Sequence, residues 1–302
     1  MSNNVNGILN SIGNTPLVQL RYPGPEKGAR ILVKLEGSNP GGSVKDRSAL
    51  WMVRDAVKSG FLYAGKTILE ATSGNTGIGL AMVGAAMGYR VKLVLPESVS
   101  IERRHVLSAF GAELVLTPGE KGTDGAISQA ERLFDQNSDT FYMPDQYSNR
   151  ANWLSHYEST APEIIRQTSG NINAFVAGIG TGGTLMGVGR RLKEFSQEVR
   201  IIGVEPEIGH SIQGLKNLKE SAKPAIFEED RLDSVISKSD SDAFAMTRDL
   251  ALREGLFVGM SGGAAVSAAI QVARDMNPGE TVVVLIADRG DRYISTGVFH
   301  SR

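Results

Sequence analysis

Lys45 has surroundings that suit a reactive amine. It follows a turn-forming run, Asn-Pro-Gly-Gly-Ser at 39–43, and precedes an apolar run at 49–53 with helical spacing. The pattern therefore predicts that Lys45 lies in the first turn of a helix over 45–58. The positive end of the helix dipole and partial burial both disfavour the ammonium form there. A neutral amine can form a Schiff base with a carbonyl, although a lone lysine is more often an exposed partner of a nearby aspartate.

A glycine-rich loop later in the chain suits a phosphate group. The loop Gly-Ile-Gly-Thr-Gly-Gly-Thr at 178–184 follows an apolar strand predicted at 174–177 and precedes a helix predicted at 185–195. Its glycines allow backbone N–H groups to point at an anion at the helix N-terminus. The loop also satisfies Gly-x-Gly-x-x-Gly, and Glu205 ends the next strand, where an acid that binds a dinucleotide ribose would lie. A nicotinamide-dependent oxidoreductase and a plain strand-to-helix turn are therefore alternatives.

A second polar loop suits a carboxylate. Thr-Ser-Gly-Asn-Thr at 72–76 lies between a predicted strand at 67–71 and a predicted helix at 78–87, and it offers hydroxyl, amide and backbone donors. The simpler alternative is that Thr72 or Ser73 caps the helix. An oxidoreductase needs neither this loop nor the lysine turn. A pyridoxal phosphate enzyme that acts on an amino acid needs an amine, phosphate donors and carboxylate donors together.

Strands and helices alternate along nearly the whole chain, which predicts an α/β fold with parallel sheet. Besides the elements above, helical patterns are present at 5–12, 153–167 and 240–254, and an alanine-rich helix is predicted at 264–273. The sequence shows no internal repeat and no low-complexity linker, so composition alone does not place a domain boundary.

Composition argues against several functional classes. The 302 residues include 32 basic and 33 acidic side chains without blocks of like charge, which favours a small-molecule substrate over nucleic acid or an anionic membrane. The chain has no cysteine and its four histidines lack metal-ligand spacing, so we expect no disulfide, catalytic thiol or metal site. Without a signal-peptide pattern or an apolar run of about 18 residues, we expect a soluble, cytoplasmic protein.

Four segments together carry a resemblance to a known family. They are Asn-Pro-Gly-Gly-Ser-Val-Lys-Asp-Arg at 39–47, Glu-Ala-Thr-Ser-Gly-Asn-Thr-Gly at 70–77, the loop at 178–184, and Gly-Asp-Arg-Tyr-Ile-Ser-Thr-Gly at 290–297. In this order, and over nearly the whole chain, they resemble the cysteine synthase (O-acetylserine sulfhydrylase) family. The ending is more similar to its B form than to its A form.

The resemblance implies a two-domain, fold-type II pyridoxal phosphate enzyme that forms a homodimer. A larger domain would comprise residues 1–38 and 150–302, and a smaller, mobile domain residues 39–149, with the cofactor between them. Lys45 would carry the cofactor and act as the catalytic acid and base. The other implied residues are Asn75 at the cofactor 3′ oxygen, Gly180, Thr181, Gly182, Gly183 and Thr184 at its phosphate, and Thr72, Ser73, Gly74, Thr76 and Gln146 at the substrate carboxylate.

The implied reaction is β-replacement, in which the β-substituent of an activated serine leaves and a sulfur donor adds, giving L-cysteine or S-sulfocysteine. The resemblance leaves open whether the substrate is O-acetylserine or O-phosphoserine and whether the sulfur comes from sulfide, thiosulfate or a carrier protein. It also leaves open whether a serine acetyltransferase binds the dimer. Cystathionine β-synthase and serine/threonine dehydratase activities are alternatives within the same fold.

The group that faces the pyridine nitrogen of the cofactor is a separate question. In the A form of the family a serine comes from the segment that matches 287–290, but this segment here offers Ala287 and Asp288. We expect Ser261, just before a Gly-Gly turn, to replace that serine, with helix capping as the alternative role. A buried Asp288 facing the nitrogen would instead keep the ring protonated.

Overall fold

The structure is a computed structural model that describes residues 7–21, 27–72 and 74–300, apart from the side chain of Glu102. The chain divides into two compact units. Unit 1 comprises Met1–Gly13 and Asn39–Asn152, and unit 2 comprises Asn14–Ser38 and Trp153–Arg302.

Strands and helices alternate within the described ranges. The strands are β1 (Leu17–Gln19), β2 (Arg30–Leu35), β3 (Thr67–Ala71), β4 (Arg90–Pro96), β5 (Glu113–Thr117), β6 (Phe141–Tyr142), β7 (Ala174–Gly178), β8 (Arg200–Pro206), β9 (Ser234–Lys238) and β10 (Thr281–Ile286). The α-helices are α1 (Lys45–Lys58), α2 (Asn75–Met87), α3 (Ile101–Ala109), α4 (Gly122–Gln136), α5 (Arg150–Ser155), α6 (Ala161–Gln167), α7 (Gly183–Phe195), α8 (Asp240–Asp249) and α9 (Met260–Arg274). Short 3-10 helices lie at Ile8–Ser11, Glu36–Ser38, Gly119–Lys121, Glu229–Arg231 and Gly290–Thr296, and π-helical turns at His156–Thr160 and Leu250–Glu254.

Unit 1 is built on a parallel sheet with the strand order β5-β4-β3-β6. The first four residues of β3 are buried, and β4 pairs with it from Thr67 opposite Arg90 to Ala71 opposite Val94. The helices α1 and α2 pack together, and their apolar side chains form a core with β3 and β4. The loop at 72–76 therefore lies at the carboxyl end of an inner strand, where open α/β sheets bind ligands.

Unit 2 is built on a sheet with the strand order β1-β2-β10-β7-β8-β9. Its strands are parallel except for β1, which runs antiparallel to β2. All residues of β10 are buried, as expected for a parallel strand covered on both faces. The small side chains of α9 pack on this strand. The loop at 178–184 follows the neighbouring strand β7, again at the carboxyl end.

The predicted α/β fold with mostly parallel sheets is confirmed. Of the helix predicted at 5–12, residues 5 and 6 lie outside the described residues, and the described part forms only the 3-10 turn Ile8–Ser11. The helical stretch predicted at 153–167 is confirmed, although it begins at Arg150 and contains a π-helical turn between α5 and α6. Among the described residues, no helix has both the length and the apolar composition needed to cross a bilayer.

Candidate active site

Lys45 is the first residue of α1, as its sequence surroundings predict. Its backbone N–H donates to the Oγ of Ser43 at 3.2 Å, which joins the preceding turn to the helix. The next residue, Asp46, is fully buried. Its Oδ2 accepts the N–H of Gly41 at 2.6 Å, so the glycine turn folds back onto α1. The lysine itself is half-buried at the N-terminal end of the helix.

A glycine in α2 brings the second helix against this turn. A Cβ added at Gly79 would lie 3.0 Å from the carbonyl oxygen of Lys45 and 3.1 Å from the Cβ of Ala49. Any larger side chain at Gly79 would push α1 and α2 apart. Because Gly79 is about one helical turn from Asn75, the N-terminal ends of α1 and α2 lie close together.

The loop at 72–76 begins where β3 ends and runs into the first turn of α2. The N–H of Thr72 donates to the carbonyl oxygen of Val94 at 3.0 Å, and the Thr72 Oγ1 accepts the N–H of Gly74 at 3.3 Å. Gly74 is the N-cap residue of α2 and, among the described residues of the loop, no side chain caps the helix, so Thr72 does not have the capping role considered above. Ser73 lies outside the described residues. A helix start without a side-chain cap suits the binding of an anion.

Gln146 is held against this loop, although 70 positions separate it from Thr76. The Thr76 hydroxyl donates to the Oε1 of Gln146 at 2.6 Å, and the Nδ2 of Asn152 donates to the Gln146 carbonyl at 2.7 Å. Glu70 of β3 accepts the N–H of Asp145 at 3.0 Å. Burial raises the pKa of Glu70 to about 8, although the N–H groups of Asp145 and Gln146 act to lower it. Unit 1 thus brings together Lys45, Thr72, Gly74, Asn75, Thr76 and Gln146.

In unit 2, the loop at 178–184 connects β7 to α7. Gly182 is the N-cap residue of α7, with φ +83° in the left-handed region that favours glycine. A Cβ there would lie 2.5 Å from the Cδ2 of Phe227, so a side chain does not fit. The Oγ1 of Thr181 accepts the N–H of Gly183 at 3.3 Å. The helix α7 opens with N–H groups that have no partner within the helix, as phosphate sites do.

The segment around Gly214 contacts both the glycine loop and the start of α9. A Cβ on Gly180 would lie 2.8 Å from the carbonyl oxygen of Gly214, and a Cβ on Gly214 would lie 4.0 Å from the Oγ of Ser261. The N–H of Lys216 also donates to the carbonyl oxygen of Ile179 at 2.8 Å. Gly180 and Ser261 therefore lie in the same region of unit 2.

Ser261 is buried in the first turn of α9. The Gly-Gly turn predicted after it is wrong, because Gly262 and Gly263 are both helical. A Cβ on Gly263 would lie 2.3 Å from the carbonyl oxygen of Ala243, so glycine is needed there for the close packing of α8 on α9. The N-cap residue of α9 is Gly259 and no side chain caps the helix. Ser261 therefore does not have the alternative capping role.

Asp288, the alternative to Ser261, is buried and bonded within unit 2. Its Oδ2 accepts the hydroxyl of Tyr293 at 2.5 Å. Its carbonyl oxygen accepts the N–H of Gly259 at 3.3 Å, and a Cβ on Gly259 would lie 2.1 Å from the Asp288 Oδ1. The carboxyl group is thus packed against Gly259, the N-cap residue of α9.

Similarity to known proteins decides the family. The family model for "Pyridoxal-phosphate dependent enzyme" matches residues 8–288. The chain is 48% identical to a cysteine synthase of Aquifex aeolicus, over 98% of this chain and 92% of that protein. It is also 48% identical to the cysteine synthase B of Salmonella typhimurium, over 98% and 96%. The chain belongs to the cysteine synthase family. A solved cysteine synthase (OASS) of Entamoeba histolytica has a TM-score of 0.93 and 38% identity, over 100% of this chain and 94% of that one.

The residues of this cysteine synthase family member fit pyridoxal phosphate, the cofactor of the matched family. The glycines at 180 and 182 leave no room for a side chain, so the backbone at the start of α7 stays accessible to a phosphate. Thr184 adds a hydroxyl to the same turn. Lys45 supplies an amine of the kind that binds the cofactor aldehyde.

The dinucleotide alternative does not hold. The Oε2 of Glu205 accepts the N–H of Leu218 at 3.2 Å, so this acid holds the segment that follows β8. The family match is to pyridoxal-phosphate dependent enzymes. The Gly-x-Gly-x-x-Gly pattern therefore occurs here in a member of another enzyme class.

Two residues that the sequence analysis does not assign to the site lie near the loops at 72–76 and 178–184. His156 is buried in a π-helical turn, with its Nε2 3.4 Å from the Oγ1 of Thr184 and its Nδ1 3.0 Å from the Oγ1 of Thr160. Nothing local to His156 signals this contact. Glu70 holds the segment next to Gln146. An acid inside the apolar run 67–71 is the sequence signal that would have identified it.

Proposed function

We propose that this protein forms L-cysteine by β-replacement on O-acetylserine, with sulfide as the sulfur donor. The observation that carries the proposal is that Lys45 begins α1 beside the helix that opens with the loop at 72–76, the two helices meeting at Gly79. Pyridoxal phosphate, when bound, supplies an electron-withdrawing ring that stabilises negative charge at the substrate Cα. The reaction would transfer a three-carbon amino acid unit from acetate to sulfur, which makes the enzyme a transferase.

Lys45 has two roles in the proposal. Its Nζ would carry the cofactor, and once the substrate amine has displaced it, the same Nζ would take the proton from the substrate Cα. A base must be uncharged, and a position at a helix N-terminus disfavours the ammonium. After the sulfur donor has added, Nζ would return the proton to Cα.

The loop at 72–76 would bind the substrate carboxylate. An anion at the start of α2 is stabilised by the helix dipole, typically by about 0.3–1 kcal/mol, and by the N–H groups of the first turn. Gln146, bonded to Thr76 at 2.6 Å, would fix that hydroxyl. The assigned groups are Thr72, Ser73, Gly74, Thr76 and Gln146 for the carboxylate; Gly180, Thr181, Gly182, Gly183 and Thr184 for the cofactor phosphate; Asn75 for its 3′ oxygen; and Ser261 for its pyridine nitrogen.

The acetylated substrate is proposed because the structural neighbour from Entamoeba histolytica is named a cysteine synthase (OASS). The test is to mix the purified, cofactor-loaded protein with O-acetylserine and sulfide and to measure cysteine. Parallel reactions would contain O-phosphoserine in place of O-acetylserine, and thiosulfate, homocysteine or no nucleophile in place of sulfide. Fast cysteine formation with sulfide supports the proposal. Faster formation of cystathionine, or of pyruvate without a nucleophile, would replace it with the synthase or dehydratase alternative.

The homodimer, the cytoplasmic location and the mobility of the domain at 39–149 remain predictions. Light scattering coupled to size-exclusion chromatography tests the first of them. A species of twice the chain mass is expected, and a monomer that forms cysteine would contradict it.

A further inference from the structure

Glu70 is an acid in a buried strand, with 3% of its surface exposed. We infer that Glu70 is a positioning residue for the substrate loop: its carboxyl fixes residues 145–146, these hold Thr76, and the loop at 72–76 is thereby set to receive the substrate carboxylate. This inference rests on the proposed function. It gives a role to a residue that would touch neither the substrate nor the cofactor.

The carboxyl of Glu70 binds two successive backbone N–H groups. Its Oε2 lies 3.0 Å from the nitrogen of Asp145, and its Oε1 lies 3.5 Å from the nitrogen of Gln146. Asp145 has φ +48°, a conformation that residues other than glycine seldom adopt. Such a conformation persists where the surroundings impose it. Glu70 therefore holds the backbone at the point where its conformation is least favourable.

Gln146 transmits this constraint because it is bonded at several atoms. Its N–H points to Glu70, its carbonyl accepts from the Nδ2 of Asn152 at 2.7 Å, and its Oε1 accepts the hydroxyl of Thr76 at 2.6 Å. Its side chain is buried. A shift of the backbone at 145–146 would consequently move the oxygen that Thr76 uses.

The contacts close a ring around the substrate loop. Glu70 comes just before the loop, Thr76 ends it, and both are bonded to the same short segment at 145–146. Inside the ring, a Cβ on Gly74 would have no atom within 4 Å, so packing does not fix the loop at this glycine. The loop geometry therefore depends on how its two ends are held.

The surroundings of Glu70 indicate which replacement should keep the backbone at 145–146 in place. The ionisable groups facing it are the carboxyl of Asp145 and the hydroxyls of Tyr142 and Tyr147. Burial above all, with a smaller effect of Asp145, raises the pKa of Glu70 to about 8, so the group is protonated at neutral pH. A glutamine amide is also neutral and keeps one carbonyl acceptor for the Asp145 N–H. Alanine has no acceptor.

The experiment compares Glu70→Ala with Glu70→Gln in the cofactor-loaded protein. We expect Glu70→Ala to raise the KM for O-acetylserine about tenfold, with kcat nearly unchanged, because the carboxylate loop is disturbed and Lys45 is not. Glu70→Gln should stay within about twofold of the wild-type KM. Leu69→Ala is the matched control, because this neighbour in β3 is fully buried and its truncation weakens the strand without removing the carboxyl. It should leave the KM unchanged.

Hydrogen exchange measured by mass spectrometry gives a readout that does not need turnover. The peptide that contains residues 144–149 should exchange about tenfold faster in Glu70→Ala than in the wild type or in Glu70→Gln. An unchanged KM in Glu70→Ala, or a fall in kcat at constant KM, would overturn the inference. If Glu70→Ala does not fold, the wild type decides: amides at 145 and 146 that exchange as fast as the exposed residues 138–139 would also overturn it. A wild type that makes no cysteine refutes the proposed function alone, because the exchange result still tests the contacts of Glu70.

Discussion

Replacing Glu70 with glutamine should change how the stability of unit 1 depends on pH. Burial raises the pKa of Glu70 from 4.5 to about 8 in the folded protein. Between these two values the folded state keeps a proton that the unfolded state has lost. A rise in pH across this window therefore favours unfolding. Glu70 costs no stability below pH 4.5, and its full cost is present above about pH 8. Glutamine does not titrate, so the variant lacks this dependence.

The size of this pH effect is set by the single proton that Glu70 binds. A single titrating group changes the free energy of unfolding by about 1.4 kcal/mol per pH unit. The wild type should lose that amount relative to Glu70→Gln for each unit between about pH 5 and pH 8.

The nearby charge that raises the pKa of Glu70 is the Asp145 carboxylate. Lys92 of β4 lies opposite Leu69, one position before Glu70, and pairs with Glu113 at 2.8 Å. Because side chains alternate along a strand, Lys92 and Glu70 lie on opposite faces of the sheet.

The two tryptophans of the chain allow unit 1 to be observed by itself. Trp51 lies in α1 of unit 1, and Trp153 lies in unit 2. In a Trp153→Phe background, the fluorescence of Trp51 during urea titration reports the unfolding of unit 1. Titrations at about pH 5.5, 6.5 and 7.5 then give the difference in unfolding free energy between the Glu70 and Glu70→Gln proteins. If the free energy of unfolding has the same slope against pH in the two proteins, Glu70 does not keep a proton in the folded state. Glu131→Gln makes the same substitution at an exposed position of unit 1 and is the control for the substitution itself.

Further predictions concern residues of the proposed site. Lys45→Ala should abolish cysteine formation and leave the circular dichroism spectrum intact; retained turnover would remove Lys45 from the mechanism. Gly182→Ala should weaken cofactor binding about tenfold or more in equilibrium dialysis, since a non-glycine residue in the left-handed region costs about 1–2 kcal/mol and its Cβ would meet an aromatic ring at 2.5 Å. Gly209→Ala, at φ +77° outside the loop at 178–184 and with no atom within 4 Å of the added Cβ, is the control for a left-handed alanine elsewhere in unit 2 and should bind the cofactor normally. Ser261→Ala should shift the visible absorption of the loaded protein; a shift seen only in Asp288→Asn would assign the pyridine nitrogen to Asp288 instead.

Local sequence patterns predict a helix well where the spacing of apolar residues identifies its buried face. For example, α1 begins and ends where its sequence predicts. The helices α2 and α9 begin at Asn75 and Met260, each about one turn earlier than predicted. Both first turns contain polar and glycine residues that usually favour loops. Tertiary contacts decide these cases: Thr76 is bonded to Gln146, and Gly263 lies against a carbonyl group of α8. Propensity alone does not contain this information.

The proposed ligand-binding residues can be read from the sequence because their types and spacing are local. Lys45 follows its turn directly, and both polar loops sit between a strand and a helix. The residues that hold these loops in place cannot be read from the sequence in this way, because their partners are distant along the chain. Glu70 and Asp145 are 75 positions apart, and His156 and Thr184 are 28 apart. A buried acid in an apolar strand is visible as an anomaly, but its partner is known only when the chain has folded. The ring through Glu70, Gln146 and Thr76 therefore makes the geometry of a loop that can be recognised locally depend on a segment with no motif of its own.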